Sequence, residues 1–170
     1  MMRLLRRLLG DRVPEGFTGT LGPDEHVLSS ARADGRPLVA TSVCLWVPEG
    51  DGDRPIGWHL ISKAGWTDGE LSIVEAEEAG RAGDAVLISD RRAVRFSLAQ
   101  PGKLPTIVHQ QVNSSILSRY YKELAPGGAW FVQRRIPGVA RMVLQVRPDI
   151  GTDSEVVAAI AAEAAAKLRR

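Results

Sequence analysis

Between Val27 and Leu98 the apolar segments are joined by connections too short for a parallel crossover, which restricts this stretch to consecutive antiparallel strands. Asp34-Gly35 and Asp68-Gly69 are the clearest of these connections. An Asp-Gly pair accepts positive φ at both central positions of a two-residue turn, and that twist matches a hairpin. Strands are expected at 27–33, 37–47, 56–61, 64–67, 70–76, 85–88 and 92–98, with an exposed loop at 48–55 and a glycine-containing break at 80–83. In the last of these strands Val94, Phe96 and Leu98 alternate with Ala93, Arg95 and Ser97, the period of a sheet wet on one face.

Helical spacing occurs in three places. Met1, Leu4, Leu5 and Leu8 share one side of a short helix over 1–9, with Arg3, Arg6 and Arg7 towards the other. Residues 16–23 read as a linker. Val108, Val112, Ile116, Leu117 and Tyr120 predict a helix over 105–124, opened by Pro105 and stopped by Ala125-Pro126-Gly127-Gly128. After a hairpin over 130–136 and 139–146 turning at Pro137-Gly138, Thr152 and Glu155 form a capping box for a final alanine-rich helix to Leu168. The expectation is an α+β fold on mainly antiparallel sheet. It divides into a basic amphipathic segment, 1–16, and a single globular domain, 17–170.

A chain of 170 residues, 44% hydrophobic and 25% charged, buries enough surface to need no disulfide or metal. Cys44 is the one cysteine and lies in an apolar run, so it reads as a small buried hydrophobe. No stretch approaches the ~20 apolar residues of a membrane span. The opening segment is too interrupted by arginine for a secretory signal, so a reduced cytoplasmic setting is expected. The net charge of +2 conceals segregation: residues 15–90 hold five basic against fourteen acidic side chains, and residues 91–170 hold thirteen against five. Such a layout serves either an anionic partner or two halves that attract one another.

Motifs for chemistry are missing. There is no Gly-x-Ser-x-Gly, phosphate-binding Gly-Lys-Ser/Thr, Gly-x-Gly-x-x-Gly or His-Glu-x-x-His pattern, and His26, His59 and His109 are isolated. No catalytic, cofactor or metal-binding residue is assigned. Three binding candidates remain. Arg3, Leu4, Leu5, Arg6, Arg7, Leu8 and Leu9 have the pattern of an interfacial helix. Arg134, Arg135, Arg141 and Arg147 form a basic hairpin interleaved with aromatic residues, a pattern able to neutralise phosphates. Trp46, Trp58 and Trp66, with His59, would line a pocket if the strands bring them together.

Residues 38–47 (Leu-Val-Ala-Thr-Ser-Val-Cys-Leu-Trp-Val), followed by Ile56-Gly-Trp-His-Leu-Ile61 and the Asp68-Gly69 hairpin, resemble a bacterial PH-like (pleckstrin-homology-like) or GRAM-like domain over roughly 25–124. The resemblance implies a barrel of about seven strands closed by a helix, with the hairpin and helix of 129–170 as additions. It also implies a scaffold for binding phosphoinositides, peptides or protein partners rather than a reaction. Members that bind phosphoinositides use basic residues of the first hairpin, where this chain offers Arg32 and Arg36 beside Asp34. The expected function is a non-enzymatic module docking a protein partner or an anionic membrane surface. A small-molecule or nucleic-acid binder using the tryptophan strands or the basic hairpin is the alternative, and an enzyme of unrecognised type is the third reading. Nucleic acid is the less favoured partner, and the leucine face of the first helix is compatible with a homodimer.

Overall fold

The computed structural model describes residues 12–169, so the helix expected over 1–9 lies outside the described residues. Strands β1 (Val27–Ala33), β2 (Arg36–Thr41), β3 (Cys44–Glu49) and β4 (Gly52–Gly57) form a four-stranded antiparallel meander. A single 3-10 turn, Trp58–Leu60, leads into β5 (Ile61–Thr67), β6 (Glu70–Ala82), β7 (Ala85–Asp90) and β8 (Val94–Ser97). Helix α1 (Leu104–Ser115) is followed by β9 (Ile116–Glu123), β10 (Gly128–Ile136), β11 (Arg141–Pro148) and helix α2 (Ser154–Leu168). The second sheet curls through the order β5-β6-β7-β11-β10-β9, with β8 on the near end of β6. The result is a mixed α+β fold.

The long strand β6 belongs to two neighbourhoods. Glu70 to Ile73 pair with both β5 and β8, whereas Ala76 to Ala82 pair with β7. One hydrophobic core therefore lies between the first sheet and β5, β6 and β8, where Leu38, Leu45, Trp58, Ile61 and Leu71 meet Leu104, Val108 and Val112 of α1. A second core packs Phe131, Leu144 and Val146 against Val157, Ala161 and Ala165 of α2. The alanines permit close approach: a Cβ on Gly83 would lie 3.4 Å from that of Ala162. A third cluster covers the outer face of the first sheet, where Phe17, Leu21 and Val27 pack on Val39, Cys44 and Trp46. The expected linker is thus a packed strap. A Cβ on Gly19 would stand 2.7 Å from the Trp46 ring, so only glycine lets the strap lie this close.

Both Asp-Gly turns form as expected, with positive φ at Asp34, Gly35, Asp68 and Gly69. Several expectations are corrected. The run 37–47 is two strands separated by a bend at Ser42 and Val43, because the apolar residues face two different cores. Most of the expected loop 48–55 is strand. β4 is an end strand, where Pro55 removes no needed ladder bond and polar residues are tolerated. The glycine at 80 causes a register shift inside β6, and the reversal comes at Gly83. The helix over 105–124 stops at Ser115, and Ile116, Leu117 and Tyr120 belong to β9, where pairing with β10 outweighs helical spacing. Asp153 caps α2 by accepting from the Glu155 and Val156 amides, while Thr152 bonds both backbone groups of Gly128. One pairing, β7 with β11, is parallel, made possible by the long connection between them.

Candidate functional site

The two cores are fastened by one buried guanidinium. Alternation along β10 turns Ala129 and Phe131 towards α2 and sends Arg134 to the opposite face, into the seam where the 3-10 turn, β5 and the end of α1 meet. Arg134 is 2% exposed. Its Nη1 donates to the Ile61 carbonyl at 2.8 Å, and its Nη2 to the Trp58 carbonyl at 3.1 Å and to Ser115 Oγ at 2.7 Å. Among the described residues no carboxylate lies within ion-pair distance of it. The charge sits at the C-terminal end of α1, where unpaired carbonyls favour a cation. Burial, with a smaller contribution from Arg147, brings its pKa down to about 10, so it stays charged at neutral pH.

Beside it Gln145, equally buried, donates to the His59 carbonyl at 2.6 Å. The His59 imidazole is held below its ordinary range by burial and then by the Arg134 charge, which keeps it neutral. Arg147 donates to Ser62 Oγ at 2.8 Å and pairs with Asp90 at 3.2 Å. Ser62 Oγ in turn donates to Asp90 Oδ1 at 2.6 Å. The effect of these bonds is positional, since Ile61 and Ser62 at the start of β5 are held by Arg134 of β10 and Arg147 of β11.

A second buried charge ties the strap to the first sheet. Glu25 accepts from Thr41 Oγ1 at 2.6 Å, Trp46 Nε1 at 2.9 Å, Cys44 Sγ at 3.2 Å and the Gly22 amide at 2.9 Å. Burial alone would raise its pKa, but the hydrogen bonds, Thr41 foremost, outweigh it and the carboxyl is held below its ordinary range. The same burial, with Glu25 adjacent, pushes the Cys44 thiol up to about 12. We expect a water-soluble disulfide reagent to label Cys44 only as fast as the protein unfolds. Rapid labelling under native conditions would contradict this burial.

The pinned strand β5 ends its sheet, with β6 on one side only. Where β5 and β6 face α1 lies a groove of about 400 Å³, lined by Ala64, Gly65, Trp66, Leu71, Pro105 and His109. Trp66 is 41% exposed, and nothing lies within 4 Å of a Cβ built on Gly65. Among the other sheet ends, β1 also carries one charged residue, Arg32, whereas β9 and β4 are more heavily charged. β9 is exposed along most of its length and carries Arg119, Lys122 and Glu123. At β4, Arg54 reaches across a cleft of about 220 Å³ to Glu75 through paired bonds of 2.8 and 2.6 Å and also pairs with Glu49. Charges on an end strand oppose pairing with a further strand. β5 has a single charged residue, Lys63.

The sequence-predicted residues separate in space. Trp46 lies under the strap, Trp58 donates to the Thr41 carbonyl inside the first core, His59 lies in the seam, and only Trp66 lines the groove. On the basic hairpin the register puts Arg134, Arg141 and Arg147 on one face, yet Arg134 is buried and Arg147 is half-buried against Asp90. Arg135 and Arg141 stand exposed near the turn, on opposite faces. Arg3 to Leu9 lie outside the described residues. The charge segregation has a structural counterpart: Arg91–Glu77, Arg147–Asp90 and Arg169–Asp84 each join the basic part to the acidic part. Glu25, Gln145 and the groove along β5 escaped sequence reasoning. No three His, Cys, Asp or Glu side chains cluster in a metal-binding arrangement among the described residues. No family model, characterised protein or solved structure matches the chain.

Proposed function

We propose that this chain is a docking module built on a PH-like barrel, and that it binds an extended segment of a protein partner along the open edge of β5. The barrel reading is supported by the four strands β1–β4, the three strands β5, β6 and β8, and α1 packed across their shared core. The observation that carries the docking reading is an almost uncharged end strand beside a groove floored by an exposed tryptophan. An added strand gains main-chain hydrogen bonds from the edge, and alternate side chains enter the groove for specificity. Apolar side chains suit Trp66, Leu71 and Pro105, and the open space at Gly65 lets the incoming backbone approach.

The test is selection of displayed random peptides on the full chain, followed by affinity measurement. The expected result is enrichment of peptides with an apolar residue at alternate positions. A buried tryptophan anchor at an interface contributes ~2 kcal/mol or more, so Trp66→Ala should weaken them about 30-fold. Because Trp66 is well exposed, the same variant should lose only about 1 kcal/mol of stability in urea. Selected peptides that bind Trp66→Ala and the parent chain equally would remove the reading.

A further inference from the structure

We propose that the turn between β10 and β11, with the adjoining end of α2, is a contact surface for an anionic lipid bilayer. The turn reads Ile136-Pro-Gly-Val-Ala140, an apolar run between Arg135 and Arg141. Val139 is 54% exposed and Met142 55%. Leu117 and Ile136 join them around a cavity of about 420 Å³ at the turn. That cavity shares Ile136, Ala140, Arg141 and Met142 with a wider one of about 620 Å³, which extends to Arg81, Leu168 and Arg169. Apolar tip and basic surround are therefore one continuous surface.

Its charge selects the occupant. Arg169 is paired with Asp84 and Arg81 with Glu78, but Arg135 and Arg141 have no acidic partner within ion-pair distance among the described residues. The strand register puts these two on opposite faces of the hairpin, Arg135 across from Met142 and Arg141 across from Ile136. An apolar turn with an arginine on either face of its base matches a bilayer interface, where apolar groups enter below the headgroups and cations stay at the phosphates. A flat protein partner would meet only one of the two arginines. A nucleic acid would gain nothing from the apolar tip. The turn lies beside the β2–β3 bend, since a Cβ on Gly138 would meet Val43 at 3.3 Å. This surface shares no lining residue with the groove beside β5, and the two proposals stand independently.

The experiment is co-sedimentation of the full chain with vesicles of phosphatidylcholine alone or with 30% phosphatidylserine (about a third anionic), at low and high salt. Binding is expected only with the anionic lipid and should weaken with salt. Each arginine near an anionic surface is worth about a fivefold change in partitioning, so Arg135→Gln/Arg141→Gln should reduce binding about 25-fold. Val139→Asp should reduce it as well, while the exposed position leaves the circular dichroism and the melting temperature in place. A chain lacking residues 1–11 should keep the dependence on Arg135, Arg141 and Val139. No sedimentation with either vesicle would overturn the proposal. So would binding that survives all three substitutions, or a concentration-dependent dimer that Val139→Asp abolishes, since the surface would then be a contact between copies.

Discussion

Arg134→Ala should lower the stability of the protein by about 3–5 kcal/mol, the range for removing one member of a buried charged network. For a domain of this size that corresponds to a melting temperature lower by about 10 °C or more. The guanidinium is the shared donor for carbonyls at Trp58 and Ile61 and for the Ser115 hydroxyl, three acceptors on separate elements. Truncation removes a buried donor from all three, although the Trp58 carbonyl keeps the Ile61 amide and Ser115 Oγ still donates to Val112, and it opens a cavity between the cores. Arg134→Lys is expected to recover less than half of the loss. One ammonium on a flexible stem cannot satisfy two carbonyls and a hydroxyl in the fork geometry. Thermal and urea denaturation of the three proteins checks the order. A lysine variant as stable as the parent would mean that the charge matters and the fork does not.

Glu25→Ala is expected to cost about 3 kcal/mol at neutral pH, because the Trp46 indole and the Thr41 hydroxyl lose a buried acceptor together. Glu25→Gln should cost less, since it keeps one acceptor oxygen but sets an amide donor among donors. The pH dependence gives a separate readout. The folded-state pKa of Glu25 is depressed below its ordinary value of 4.5, so its contribution is fully present above that pH and is lost as pH falls through the folded-state pKa. Urea titrations from pH 7 to pH 3 should show the parent approaching the glutamine variant at the acid end. A constant gap would mean that the carboxylate charge does not stabilise this network.

The local level of this fold was legible. Asp-Gly turns demand positive φ whatever surrounds them, and Val108 with Val112 mark the buried side of α1 as helical spacing predicts. The failures arose where tertiary contacts choose between local options. Ile116 to Glu123 carries both a helical stripe and a run of strand-compatible residues, and only the hydrogen bonds of β10 decide between them. Arg134 and Arg135 are adjacent and chemically identical, yet one is sealed in a seam and the other faces solvent. Their difference lies in alternation along β10 and in what α1 and β5 bring to one face. Glu25 looked like one acid among fourteen in its region because the donors that surround it come from Gly22, Thr41, Cys44 and Trp46. The groove beside β5 was invisible for the same reason, since Trp66 and Pro105 become neighbours only when α1 packs against β5.

The most direct test of the docking edge is amide hydrogen exchange with and without a selected peptide. Strand addition should slow the outward amides of residues 63–67 more than tenfold and leave those of β9 unchanged. Protection at β9, or at no strand edge, would contradict the assignment of β5 as the partner-binding edge.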